Sequence, residues 1–298
     1  MNATSAAPLR RRRFEVSQEL YRRFTLLNTA VLVLILTTGA TVRLTGSGLG
    51  CKHWPGCQAG QPFPTKDYHS FIEFSNRILA GIIVFITLGA WIVALLAPHV
   101  PRWVKWTAFA VFFGTAAEAP LGAVTVYYDL NPYLVQSHFV LSIAVLTLAT
   151  LVSVDAVGMR GALVAVQTRA IAVIVAILKA IMVVSGTLAT AAGPHAGSVD
   201  VHRIWDLHSA VYWHVRSTAL FGLLFAYLLW KFAREKTEHY ERGLIVLGIL
   251  AVQMVIGEIQ YRTHLPWGIV LLHVTLSGVL WVAMTAWVAA MFRPSRMT

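Results

Sequence analysis

Four histidines lie inside long apolar stretches of the chain: His138 in SHFVLS, His208 in DLHSA, His214 in YWHVRS and His273 in LHVTLS. An imidazole surrounded by hydrocarbon costs free energy unless it is paired, so intramembrane ionisable side chains mark functional positions. A lone one is equally well explained as an interhelical hydrogen bond. His138 and His273 are not lone, because Gly122 precedes the first by the same interval as Gly257 precedes the second. Glu118 and Gln253 each stand four residues before their glycine. Imidazoles facing one another within a helical bundle are suited to holding a haem iron. A closed zinc site fits less well, since the apolar stretches contain no Cys/His cluster able to supply four ligands. His208 and His214 are six residues apart and point to different helix faces, so only one shares a site with His273. We expect His208, at the depth of the other histidines, which leaves His214 and Arg216 for other partners such as a haem propionate.

The segment HSFIEFSNRILAG brings Glu73, Asn76 and Arg77 onto one helix face through i,i+3 and i,i+4 spacing. Its bland reading is a Glu73–Arg77 salt bridge; the functional one is a polar wall beside a substrate site opposite His138. Repeat symmetry asks for a histidine where Asn76 stands, and Asn is a poor haem ligand. An iron bound in this half would then have one protein ligand and an open position for oxygen. His69 is a replacement ligand in principle, although we place it in the preceding loop. Cys51 and Cys57 share one Gly- and Pro-rich segment. On the oxidising side of a membrane such a pair can close a disulfide.

The elements that must hold these residues are membrane spans. Hydrophobic residues make up 57% of the 298-residue chain and charged residues 12%, where an ordinary soluble domain carries roughly 25%. Apolar stretches long enough to cross a bilayer, which takes about 20 helical residues, fall at 24–44, 71–97, 103–127, 132–154, 168–190, 205–231, 243–262 and 267–292. The basic N-terminus does not read as a cleaved signal peptide, because the first span is too long and no small-residue cleavage site follows it. The net charge of +11 would suggest nucleic acid in a soluble protein, but here the charges sort by loop. Arg10 to Arg13, Arg22, Arg23, Arg102, Lys105, Arg160, Arg169, Lys231, Arg234, Lys236, Arg242, Arg293 and Arg296 fall on one side. Only Arg43, Lys52, Lys66, Arg77, Arg203 and Arg262 fall on the other. The positive-inside rule then sets both termini in the cytoplasm and the cysteine loop outside, in a multi-pass plasma (inner) membrane protein that binds no nucleic acid.

The halves resemble each other. Gly39, Gly46 and Gly50 at the end of the first span have the spacing of Gly186, Gly193 and Gly197 at the end of the fifth. Several matched spacings in one order indicate two fused four-helix units. We therefore expect an all-α integral membrane protein with eight transmembrane helices, built as two fused four-helix bundles related by an internal repeat. Its parts would be a basic tail over 1–23, an N-terminal half over 24–154 with the cysteine loop at 45–70, a linker over 155–167, a C-terminal half over 168–292 and a tail over 293–298. The loop from Ala191 to Ile204 contributes His195, Asp200, His202 and Arg203.

These residues carry a resemblance. TGSGLGCKHWPGC (Thr45 to Cys57) resembles the first-loop signature of the haem A synthase family, and IEFSNR (Ile72 to Arg77) its second-span motif in the subtype with Asn-Arg for His-Arg. LNPYLVQSHF is similar to its fourth-span histidine segment, and GPHAG followed by LHSA to its third outer loop and sixth-span histidine. The resemblance implies oxidation of the C8 methyl of haem O to the formyl of haem A for cytochrome oxidase assembly. It implies His208 and His273 as axial ligands of a haem b in the C-terminal half. His138, with Asn76 and Arg77, would form the substrate-haem site, Glu73 would be the acid near the methyl group, and Cys51–Cys57 the outer-loop disulfide. It also implies haem O synthase and cytochrome oxidase subunits as partners, and an electron donor that the sequence does not name. Asn76 departs from the commoner pattern and counts against bis-histidine ligation of the substrate haem. A second cysteine pair is absent from the C-terminal half. Two other classes compete: a di-haem cytochrome b, which would want two ligands per haem, and a quinone-coupled thiol oxidoreductase. The five-residue gap between the cysteines is unlike the CxxC of thiol oxidoreductases.

Overall fold

A computed structural model describes residues 15–64, 67–198, 201 and 203–294. Arg10 to Arg13, Lys66, Asp200, His202 and Arg296 lie outside the described residues. Among the described residues there are eight helices: α1 (Gln18–Leu44), α2 (Tyr68–Leu96), α3 (Arg102–Tyr127), α4 (Pro132–Ala156), α5 (Val166–Ala192), α6 (Leu207–Glu235), α7 (Glu238–Arg262) and α8 (Trp267–Met291). All eight are long and apolar enough to cross a membrane. Large apolar side chains such as Phe85, Phe113, Leu223 and Ile245 stand exposed on the outer surface, as hydrocarbon-facing positions require.

Three helices overrun the expected spans at their charged ends: α1 begins at Gln18, α6 ends at Glu235 and α7 begins at Glu238. Pairs one turn apart support these polar extensions, with Arg23 2.6 Å from Glu19 and Arg242 2.7 Å from Glu238. Hydropathy measures the apolar core of a helix and not its hydrogen-bonded length, so these turns escape it.

The repeat is visible in the backbone. Asp67 caps α2 by accepting from the Ser70 amide (3.0 Å), and Asp206 caps α6 by accepting from the Ser209 amide (2.8 Å). Those backbone amides hold both carboxyls below the usual carboxylate range. Asp129 and Leu130 (φ 49° and 58°) turn the chain from α3 to α4, and His264 and Leu265 (φ 62° and 60°) turn it from α7 to α8. Left-handed conformation is costly away from glycine. Two consecutive non-glycine residues adopting it at equivalent places therefore mark one turn used twice. The fold is two fused four-helix bundles related by an internal repeat.

Within each bundle successive helices pack as neighbours, and the bundles meet through α1, α4, α5 and α8. Trp281 of α8 is buried among Leu32, Leu36, Leu146 and Ala149 of the N-terminal bundle, which fastens the two halves together. Residues 16 and 293 lie at one end of the molecule, where the Val16 amide donates to the Leu96 carbonyl and the Gly161 amide to that of Arg293 (3.0 Å). At the other end the Gly48 amide donates to the Gly197 carbonyl (2.9 Å), joining the first loops of the two repeats.

Candidate functional site

In the N-terminal bundle Glu73 is buried in the second turn of α2, at the end beside the 45–70 loop. One carboxylate oxygen accepts from the Cys51 amide (2.7 Å) and the other from Arg77 one turn on (2.5 Å). Arg77 also donates to the carbonyls of His53 (2.6 Å), Gly56 (2.8 Å) and Cys51 (3.2 Å). The pair is therefore a clamp that ties the 45–70 segment to α2. Cys51 and Cys57 are brought together beneath it, both fully buried. Asn76 turns toward α1, where Thr38 Oγ1 donates to its side-chain oxygen (2.8 Å). On α4, His138 presents Nδ1 to Glu118 of α3 at 2.6 Å. Its ring lies against Gly122, where a Cβ would stand 3.6 Å from Cε1.

The C-terminal bundle repeats this plan with other side chains. His273 lies against Gly257, where a Cβ would meet Cε1 at 3.1 Å. Gln253, the counterpart of Glu118, donates to the His273 backbone carbonyl (2.9 Å), and the Nδ1 of His273 is buried without a hydrogen-bond partner. His214 of α6 has its Nδ1 3.0 Å from the Met182 carbonyl and 3.2 Å from Ser185 Oγ. A Cβ on Gly186 would meet the His214 ring at 3.1 Å. The His214 and His273 rings lie close enough to interact electrostatically.

Ser185–Gly186 is the repeat counterpart of Thr38–Gly39, and His214 contacts Ser185 on α5 as Asn76 contacts Thr38 on α1. Over Gly186 an imidazole fills the space; over Gly39 a Cβ would meet nothing within 4 Å.

His208, which we expected opposite His273, stands exposed in the first turn of α6. The residue that α6 carries to His273 is His214. Arg216, two residues on, faces outward with its guanidinium 4.7 Å from the Tyr212 ring. His69 lies in the first turn of α2 and not in the loop, exposed, with Nδ1 3.0 Å from Ser47 Oγ. Two features had no place in the sequence reading. Lys179, fully buried midway along α5, donates to the Leu280 carbonyl (2.7 Å) and lies 4.6 Å from the Trp281 ring. A lysine central to an apolar span was a signal available in the sequence. Arg43 and Arg203 approach one another at the loop end, and each has a buried guanidinium nitrogen without a hydrogen-bond partner. No short motif brings those two together.

Known proteins resemble this chain in sequence. A Heme A synthase of Symbiobacterium thermophilum is 33% identical over 135 residues, which are 45% of this chain and 44% of that protein. Those of Shewanella oneidensis (25% identical, 84% of this chain and 89% of that protein) and Lysinibacillus sphaericus (27% identical, 86% and 90%) align over nearly the full length. The model of the COX15-CtaA family of cytochrome oxidase assembly proteins matches residues 22–285. That match takes in α2 to α7 whole, most of α1 and α8, and both histidine sites, and the chain belongs to the COX15-CtaA cytochrome oxidase assembly protein family.

Proposed function

We propose that this protein is a haem A synthase, a membrane oxidoreductase that converts the C8 methyl of haem O to the formyl of haem A for cytochrome oxidase assembly. The observation that carries this reading is the unequal repeat. One bundle brings two imidazoles near one another, His214 packed against Gly186 and His273 against Gly257; the other has one imidazole, His138 against Gly122, and an amide, Asn76, in place of a second. Two axial ligands suit a haem that only exchanges electrons, whereas a single ligand leaves a coordination position for chemistry. The C-terminal bundle would keep a haem b through His214 and His273. The glycine cradles fit such a group, and the Met182 carbonyl that engages His214 Nδ1 leaves its Nε2 for a metal. When bound, that haem supplies one-electron redox chemistry. The N-terminal bundle would take haem O as substrate through His138, with Asn76 and Arg77 at its wall. Arg43 and Arg203 offer two cations at the loop end, suited to propionate carboxylates.

Glu73 is the acid expected nearest the oxidation. Both of its oxygens are engaged by the loop and Arg77, so we assign it a positioning role: it holds the loop closed over the substrate half and keeps water out. Cys51 and Cys57 would form a disulfide that stiffens the same loop. The basic end, with Arg22, Arg23, Arg102, Arg160 and Arg293, would face the cytoplasm and the cysteine loop the outside of a plasma membrane. Haem O synthase, cytochrome oxidase subunits and an electron donor are the partners this function requires.

The test is the haem extracted from protein purified after aerobic expression with a supply of haem O, analysed by mass and spectrum. We expect haem O and its oxidised products, including haem A, alongside haem b. Finding haem b alone, in two equivalents, would make the protein an electron-carrying di-haem cytochrome.

A further inference from the structure

Glu118 is a carboxylate inside a membrane-spanning helix, where a charge is costly unless something specific holds it. Among the described residues its polar contacts are both on α4. Ser142 Oγ donates to one oxygen (2.7 Å); the other lies 2.6 Å from His138 Nδ1, in ion-pair range but outside hydrogen-bonding geometry, so that a small rotation of the ring completes the bond. The Glu118 side chain is 17% exposed. Pro120, between Glu118 and Gly122, deprives α3 of one backbone hydrogen bond in this turn. Glu118 therefore takes one nitrogen of the imidazole while Gly122, one turn along, makes room for the other edge of the ring.

The repeat supplies an internal control. Gln253 occupies the matching position on α7, but it is neutral and bonds the His273 backbone instead of its ring. Only the single-imidazole site has a carboxylate behind its imidazole. A carboxylate at the far nitrogen fixes the tautomer and orientation of a metal-ligating histidine and raises the basicity of the ligating nitrogen.

We propose that Glu118 is a positioning residue for the oxidation: it keeps the His138 proton on Nδ1 and directs Nε2 to the substrate iron, strengthening the one protein ligand that iron receives. This rests on the N-terminal bundle being the haem O site, and its test separates the two ideas. Haem O affinity and the iron–histidine vibration of the reduced, five-coordinate substrate haem are measured in full-length wild type, Glu118→Gln, Ser142→Ala and His138→Ala. Glu118→Gln is expected to bind haem O about 10- to 100-fold more weakly, the usual range for a lost carboxylate partner. The iron–histidine band should shift to lower frequency while the low-spin haem b spectrum stays unchanged. Ser142→Ala, which removes only the donor that steadies Glu118, should move the same band by less, and it provides the reading if Glu118→Gln does not fold. If His138→Ala binds haem O as wild type does, the site assignment fails. If His138→Ala abolishes binding while Glu118→Gln keeps wild-type affinity and an unshifted band, the positioning role is overturned, even where thermal stability falls as a simple α3–α4 tie would predict.

Discussion

Replacing Gly186 and Gly39 by alanine, one at a time, probes the unequal repeat directly. Both glycines lie toward the C-terminal end of the first helix of their bundle, and alanine in a helix is more stable than glycine by roughly 0.5–1 kcal/mol. That gain is common to both variants and cancels in the comparison. What differs is the contact made by the new methyl group. In Gly186→Ala it meets His214 Cε1 at 3.1 Å and Nδ1 at 3.3 Å, so the ring must retreat by a few tenths of an ångström or α5 must part from α6. In Gly39→Ala it meets no atom within 4 Å. Overpacking of this kind costs about 1–3 kcal/mol. If that cost falls on the haem-loaded form, it weakens haem b binding about 5- to 150-fold, at 1.4 kcal/mol per tenfold. The assay is haem b content and the low-spin absorbance of protein purified and titrated in detergent. Gly186→Ala should lose haem b, and Gly39→Ala should keep it with thermal stability at or slightly above that of wild type. The converse, with haem b retained in Gly186→Ala and lost in Gly39→Ala, would refute the assignment of the two bundles.

The remaining predictions concern the α6 ligand, the loop clamp and the cysteines. His214→Ala should remove the low-spin haem b spectrum and His208→Ala should preserve it; the opposite pattern would return the ligand role to His208. Glu73→Gln weakens two charge-assisted hydrogen bonds, each worth roughly 1.5–3 kcal/mol. That variant should fold and keep haem b but accumulate haem O or a partly oxidised product, and undiminished haem A formation would reduce Glu73 to a structural clamp. Cys51 and Cys57 should resist alkylation in protein purified without reductant, as read by mass spectrometry. Loss of their bond should destabilise the loop by ~2–3 kcal/mol, whereas two freely labelled thiols would contradict the pairing.

Much of this molecule is written in local patterns. The eight spans follow from runs of apolar residues, because a helix crossing hydrocarbon must satisfy its own backbone and clothe itself in hydrocarbon side chains. Glu73 and Arg77 were readable as a pair since i,i+4 neighbours share a helix face whatever surrounds the helix. Glycine spacing revealed the repeat and, through it, the equivalence of His138 and His273. What local pattern cannot express is the rotation of one helix against another. Whether His208 or His214 faces His273 depends on which side of α6 packs against Ser185 and Gly186 of α5, and depth along the span, which favours His208, says nothing of that rotation. The second oxygen of Glu73 reaches the Cys51 amide only because the loop folds back over α2, and Lys179 finds Leu280 and Trp281 only where α5 meets α8. The residues that share a face are set within a helix, by its 3.6-residue period; which face turns inward, and what it meets there, is decided by side-chain volumes on its neighbours.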